Sequence, residues 1–426
     1  MTASARSALP GLGLLPGGRR IDTEREIWER CREQTEGGMS VTMTVLERVK
    51  EIAEGFAADR AARQQRRSLD PADFAALREA GFLRTGIPAE SGGLYTDRAT
   101  STRPVCEIVR ALAQADSSVA LVAAMHPAVL SYWLATPEVP PDYRAAWADQ
   151  RRSVFEAAST EWWGTITSEP GSGGDVARTK AVASQANGTY RLTGQKHFGS
   201  GSGITSFMLT AAVPEGENDP DWFFVDVRDV PWDGSQGLRL AAEWDGHGMA
   251  ATQSHGMAYE AFPATRFAWP ANWRALADAA APFAGCLFTA VVLGVVETAI
   301  SSARASLSKH PDDLRPYEQV EWTRAESEAW LAAQAYEGML RAVESKPLPN
   351  RDVLMGKESV AELAESCLLR ICRVLGGGTF SRRSPFGHWF EDVRALGFLR
   401  PPWSLAYDAL FSTAFDTDAD PIGAPR

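Results

Sequence analysis

An α+β chain in three successive blocks, helices, then a β-domain, then a four-helix bundle, is what the sequence predicts. Three observations predict it: apolar residues at helical spacing from Val45, a change of period near Trp162, and the return of the helical period after Pro270. The chain has 426 residues and 45% hydrophobic content, enough for two or three domains.

In the first block Val45, Leu46, Val49, Ile52, Ala53 and Phe56 fall on one helical face. Asp70 ahead of Pro71 reads as the cap and first residue of a short helix that Gly81 ends. Residues 100–113 and 117–134 read as apolar helices. Pro137, Pro140 and Pro141 part them from another helix starting at Tyr143. Residues 1–42 read as a disordered N-terminal extension: Gly and Pro punctuate 9–18, and the charged run 22–36 lacks an apolar stripe.

In the second block Asn187-Gly188 joins 181–185 to 189–193 as a type I′ hairpin. Further strands are expected over 207–213, 222–227, 238–242 and 255–259. In the third, helices are expected over 283–307, 317–343 and 352–375, with Gly376-Gly377-Gly378 ending the last and a shorter segment over 386–395. The expected domains are therefore 1–42, 43–160, 161–268 and 269–426.

A formal net charge of -11 opposes a nucleic-acid backbone or an anionic membrane as main partner. The longest apolar stretch, 279–300, is broken by Pro282, Gly285, Gly294 and Glu297 and reads as a buried helix, not a membrane span. The N-terminus lacks signal-peptide order. Cys31, Cys106, Cys286, Cys367 and Cys372 are scattered and odd in number, as reduced cytoplasmic thiols would be. The six histidines never adopt metal-ligand spacing, so no metal is expected. There is neither a Gly-x-Gly-x-x-Gly after a strand nor a P-loop.

Three motifs carry chemistry. Thr167-Ser168-Glu169-Pro170-Gly171-Ser172-Gly173-Gly174-Asp175 is a strand end entering a glycine-rich turn, where hydroxyls and backbone N–H groups can face a ring. Lys196-His197-Phe198-Gly199-Ser200-Gly201 follows in the same block, and Arg373-Val374-Leu375-Gly376-Gly377-Gly378, with Asp392-Val393-Arg394 beyond it, in the bundle. In this order and across these blocks they resemble the acyl-CoA dehydrogenase superfamily over about residues 44–410. The Phe198-x-Ser200-Gly201 form and the Trp162-Trp163 pair are most similar to its flavin-dependent monooxygenase branch, the dibenzothiophene monooxygenase-like enzymes.

The resemblance implies a flavin, FAD or FMN, contacted by Thr165, Thr167, Ser168, Phe198 and Ser200. It implies that Arg373, Gly376 and Gly377 reach toward a neighbouring subunit's cofactor in a homotetramer or homodimer. His126, Ser172 and Arg400 are its candidate catalytic residues. On an apolar helix a histidine such as His126 otherwise serves packing, and His247, His255 and His388 default to structural roles. Strand alternation puts His197 on the face opposite Phe198, and turns Trp162 and Trp163 apart.

Acyl thioester dehydrogenation needs a carboxylate within reach of the substrate α-proton. The resemblance places that base eight residues after Asp392, where Arg400 stands, or ten before Gly294, where Ala284 stands. Glu297, the one carboxylate of that apolar stretch, reads as a helix-end or inter-subunit partner. A two-component monooxygenase, fed reduced flavin by a separate reductase, needs a dry pocket and no such base. The sequence therefore favours a monooxygenase acting on a small aromatic, heteroatom or carrier-bound substrate. An atypical acyl-CoA or acyl-carrier-protein dehydrogenase and a non-catalytic flavin-binding protein are the alternatives.

Overall fold

The computed structural model describes residues 24–346 and 348–415, and the chain falls into two units, residues 1–41 and 42–426. The expectations for residues 1–23 lie outside the described residues. Residues 24–41 are helical, and the helix to which they belong, α1, spans Glu24–Ala58.

In the larger unit, α2 (Arg60–Arg63) and α3 (Pro71–Glu79) follow α1, and Asp70 caps α3 by accepting the Ala72 N–H at 3.0 Å. α4 (Arg98–Ala113), α5 (Ser117–Leu134) and α6 (Pro141–Ala158) complete the first helical block. Asp116 ties these pieces together: it caps α5 through the Val119 N–H at 2.9 Å and pairs with Arg63 at 2.7 Å, which also pairs with Asp73 at 2.6 Å. α5 is apolar all round because it packs on β1 on one side and α7 on another.

The middle block holds β1 (Trp163–Thr165), β2 (Val182–Ala186), β3 (Thr189–Gly199), β4 (Phe207–Pro214), β5 (Asp221–Asp226), β6 (Leu238–Ala242) and β7 (His255–Arg266). β4 pairs with β2, β2 with β3, β3 with β7, β7 with β5, and β5 with β4, so the strands close into a barrel. Closure removes the exposed sheet edges that a flat hairpin array would leave. β4 shows why its run of consecutive apolar residues is a strand. Met208 and Ala212 point into the barrel core with Ile166, Phe223 and Met257, while Phe207, Leu209 and Ala211 join Trp133, Trp147, Trp163 and Phe267 under the helices. Both faces are buried.

The C-terminal bundle is α7 (Trp273–Leu307), α8 (Pro316–Glu344), α9 (Asn350–Leu375), α10 (Pro385–Val393) and α11 (Trp403–Ser412). α7 starts well before the expected Phe283. Pro282 removes one helical N–H bond, yet Leu276, Ala280, Phe283 and Cys286 on either side of it are buried, and that packing carries the helix through. α5 and α7 are long and apolar enough to cross a membrane by length and composition, but 83% of each apolar window is buried inside the protein. α11 was not anticipated at all.

Candidate functional site

The glycine-rich turn and the end of β3 meet through an isolated bridge in which the His197 N–H donates to the Ser168 carbonyl at 2.7 Å. This sets Thr167 and Ser168 beside Phe198. The β3–β7 register shifts between Lys196 and Gly199, and Phe198 takes a left-handed φ of 61°. Strand alternation therefore fails at this point, and the expected opposition of His197 and Phe198 is lost: their rings lie 6.2 Å apart. Phe198 is 58% exposed, an unusual state for an aromatic strand residue. Its neighbours are fixed. Gly201 has φ of 82°, and a Cβ there would stand 2.7 Å from Val122 on α5.

The hydroxyls divide into bound and free. Ser200 sits in a buried chain, Ser200 to Ser254 at 2.8 Å and Ser254 to Thr252 at 2.8 Å, so its side chain holds the turn together. Thr165 donates to the Leu209 carbonyl at 3.3 Å. The Thr167 and Ser168 hydroxyls have no partner among the described residues. An exposed aromatic ring, two unpartnered hydroxyls and an open turn at Gly171 and Gly173, where added Cβ atoms would meet nothing, fit the flat polar-edged ring of a flavin.

Beneath the turn lies a buried ion pair that the sequence reading missed. Lys196 Nζ donates to Glu169 at 2.5 Å and to the Ala211 carbonyl at 2.5 Å. Glu169 also accepts the Lys180 and Ala181 N–H groups at 2.7 and 3.1 Å. Burial pushes the Lys196 ammonium down to about 8 despite its carboxylate partner. The signal was present in the sequence: a Glu in the turn and a Lys on an otherwise buried strand.

Two of the expected catalytic residues make internal hydrogen bonds. His126 is fully buried: Nε2 donates to the Leu83 carbonyl at 2.9 Å, and Nδ1 accepts the Trp163 N–H at 3.3 Å. Both ring nitrogens are used, and burial lowers its pKa to about 4, so the ring is neutral. Ser172 is buried as well. Its hydroxyl donates to the Glu169 carbonyl at 3.0 Å and accepts the Gly174 N–H at 3.1 Å, shaping the turn. Trp162 and Trp163 do face apart, Trp162 toward Phe74 and His126 and Trp163 stacked on Phe207 at 4.7 Å, but both are buried.

Arg400 differs. Among the described residues it makes no ion pair, and its buried Nη2 has no hydrogen-bond partner. The segment after it is clamped. Buried Lys357, paired with Glu358 at 2.7 Å, donates to the Pro401 carbonyl at 2.7 Å, and a Cβ on Gly174 would lie 3.1 Å from Pro402. The Arg400 segment thus lies against the glycine-rich turn. Burial lowers the guanidinium pKa, with Tyr132 of α5 and Asp175 of the turn acting in the opposite sense. Ala284, the other base position, is on α7. Glu297 is held within this chain, accepting from Gln114 at 2.8 Å with Arg110 3.7 Å away.

Arg373, Gly376 and Gly377 are not brought to this site. They end α9, whose main neighbours are α7, α8, α10 and α11, and Arg373 pairs with Glu321 at 3.3 Å.

Residues 164–261 match the acyl-CoA dehydrogenase middle domain. Butyryl-CoA dehydrogenase from Megasphaera elsdenii superposes with a TM-score of 0.75 at 16% identity, over 88% of this chain and 98% of that one. The fold is that of the acyl-CoA dehydrogenases. FMN-bound TdsC from Paenibacillus sp. A11-2, a dibenzothiophene monooxygenase, superposes with a TM-score of 0.69 at 19% identity, over 87% and 97% of the two chains. Among curated sequences the chain is 26% identical over 212 residues to SfnC of Pseudomonas putida, whose name reads "Probable FMNH2-dependent monooxygenase". That match covers 50% of this chain and 48% of SfnC, about half the relative's length. It is 24% identical over 384 residues to YdbM of Bacillus subtilis (strain 168), named as an acyl-CoA dehydrogenase, covering 84% of this chain and 92% of YdbM.

Proposed function

We propose that this chain is a flavin-dependent monooxygenase that takes reduced FMN from a separate reductase and oxygenates a small molecule. The observation that carries the reading is the state of the two α-proton base positions of its fold. One holds Arg400, a cation with a buried, unpartnered nitrogen, and the other Ala284. A dehydrogenase without a carboxylate there has nothing to take the substrate proton. The names of TdsC and SfnC, FMN-bound and FMNH2-dependent, support FMN.

Bound flavin supplies two-electron chemistry and, when reduced, activates oxygen. The chain's residues do the rest. Phe198 offers a ring face, Thr167 and Ser168 offer hydroxyl donors, and Ser172 and Glu169 hold the turn on which these sit. Trp162, Trp163 and His126, packed below, keep water from that side. The chain works as a homo-oligomer: Trp330 (62% exposed), Phe380 (97%) and Phe411 (72%) on the C-terminal segments are large apolar groups of the kind interfaces cover. The buried free thiols Cys106, Cys286 and Cys367 suit a reducing cytoplasm.

The test is oxygen uptake by purified protein given FMN, NADH and a flavin reductase, beside anaerobic addition of butyryl-CoA to the oxidised flavoprotein. The monooxygenase reading expects reduced-flavin binding with protein-dependent oxygen consumption, and no bleaching by the thioester. Bleaching by butyryl-CoA without oxygen chemistry would overturn it and establish a dehydrogenase.

A further inference from the structure

Among the described residues the partly buried arginines other than Arg400 each make an ion pair or a side-chain hydrogen bond, although Arg60 also keeps one buried nitrogen without a partner. Arg63 meets Asp73 and Asp116, Arg103 meets Glu337 and Glu344, Arg266 meets Asp221 and Glu217, and Arg370 meets Glu321 and Glu328. Arg400 breaks the pattern. No carboxylate among the described residues is close enough to form an ion pair with it, and Nη2 is shut off from solvent without a partner. Asp175 of the turn acts on the partly buried guanidinium only from beyond ion-pair distance, and a planar fork with a buried, unpartnered nitrogen is shaped for a carboxylate.

A second donor lies within electrostatic reach of it. Tyr132 of α5 is wedged edge-on against Trp222 at 5.0 Å, its phenol has no hydrogen-bond partner among the described residues, and its charge state and that of Arg400 influence each other. Burial pushes the phenol up to about 12, so at neutral pH it is an O–H donor. The arginine is anchored through Lys357 on the Pro401 carbonyl, and the tyrosine by its aromatic neighbours.

We propose that Arg400 and Tyr132 form a clamp for the carboxylate of the substrate, so that the enzyme acts on small organic acids. The clamp rests on the monooxygenase reading and names its substrate class. A neutral heteroaromatic would leave the guanidinium unpaired. The phosphate of a bound FMN is the other anion that could meet the guanidinium, and the experiment separates the two sources.

The probes are benzoate and its neutral counterpart benzamide, titrated calorimetrically into the FMN-loaded protein. Wild type is expected to bind benzoate at least about tenfold more tightly than benzamide, and Arg400→Met to weaken benzoate by about thirtyfold or more while leaving benzamide unchanged. Arg400→Lys, which keeps charge without the fork, should retain part of the preference, and Tyr132→Phe should lose part of it. FMN affinity and melting temperature of each variant are read alongside, and should match wild type. Should Arg400→Met not fold, the wild-type preference and the Arg400→Lys titration still decide. Equal binding of the two probes, binding of neither, or an Arg400→Met that keeps its benzoate affinity overturns the clamp. So does a variant that loses FMN while keeping benzoate, because the anion is then the flavin phosphate. Oxygen uptake with a reductase, measured on wild type without benzoate, reports on the monooxygenase reading alone.

Discussion

His126 gives the sharpest division between a catalytic and a structural residue, because each assignment moves a different measurement. Its ring joins three elements: α5 carries it, the Leu83 carbonyl accepts from Nε2, and the Trp163 N–H at the start of β1 donates to Nδ1. Only the neutral ring can do both. The folded pKa of about 4 lies below the unfolded value of about 6.5, so between these values the unfolded chain binds a proton that the folded chain refuses. Stability from this group is full above about pH 6.5 and is lost as pH falls, about 1.4 kcal/mol per unit down to the folded pKa. From pH 7.5 to pH 5 that is about 2 kcal/mol. Asp392, buried, bonded to Ser117 and raised to about 6, acts in the opposite sense, since its folded form takes up a proton first. The raw slope of wild type is therefore not diagnostic, and the comparison must be with His126→Asn, which keeps a donor and an acceptor without titrating. Urea unfolding at pH 7.5 and pH 5 should show wild type losing about 2 kcal/mol more than the variant between the two values. Identical pH dependence in the two proteins would refute the assignment. So would a variant of unchanged stability and flavin affinity whose turnover is abolished.

Other substitutions probe the site from different sides. Lys196→Met leaves the Glu169 carboxylate buried on two backbone N–H groups and should cost on the order of 3–5 kcal/mol in urea unfolding, whereas Lys196→Met with Glu169→Gln should cost clearly less. Phe198→Ala should weaken FMN binding by about three- to tenfold in fluorescence titration with little change in melting temperature, because the ring is exposed in the fold. Gly201→Ala puts a Cβ 2.7 Å from Val122 at a left-handed φ and should destabilise by about 1–3 kcal/mol in the same unfolding assay. Arg373→Ala should change the stability of the chain by less than about 1 kcal/mol, since Arg370 still holds Glu321 at 2.8 Å.

Much of the architecture is legible in the sequence because period and punctuation are local. Asp70-Pro71 and Asn187-Gly188 mark a helix start and a hairpin through residues a few positions apart, and the structure has both. Barrel closure is not local. β2 runs parallel to β4 and β7 returns to β5, pairings that no short-range pattern encodes. The bulge at Phe198 has the same origin: alternation is a rule for regular strands, and the register shift opposite His255 suspends it. At the site, residue type was legible but hydrogen-bond partners were not. His126 and Ser172 have the right chemistry, yet their donors and acceptors are spent on Leu83, Trp163, Glu169 and Gly174, partners distant in sequence or hidden in turn geometry.

Arg400 carries the opposite lesson. Its sequence position alone said only that a base was missing. The structure adds that the segment carrying the replacement is held against the glycine-rich turn at two points. Lys357 donates to the next carbonyl, and Gly174 of the cofactor-facing turn allows Pro402 to approach where a side chain would stand 3.1 Å away. The Arg400 Nη2 nonetheless stays shut off from solvent without a partner, where an unpaired nitrogen would gain by hydration. Holding it in place costs stability unless something anionic arrives. A substitution that frees it, Lys357→Met, should therefore weaken benzoate binding without touching Arg400 or Tyr132, and unchanged affinity would show that the clamp does not depend on that anchor.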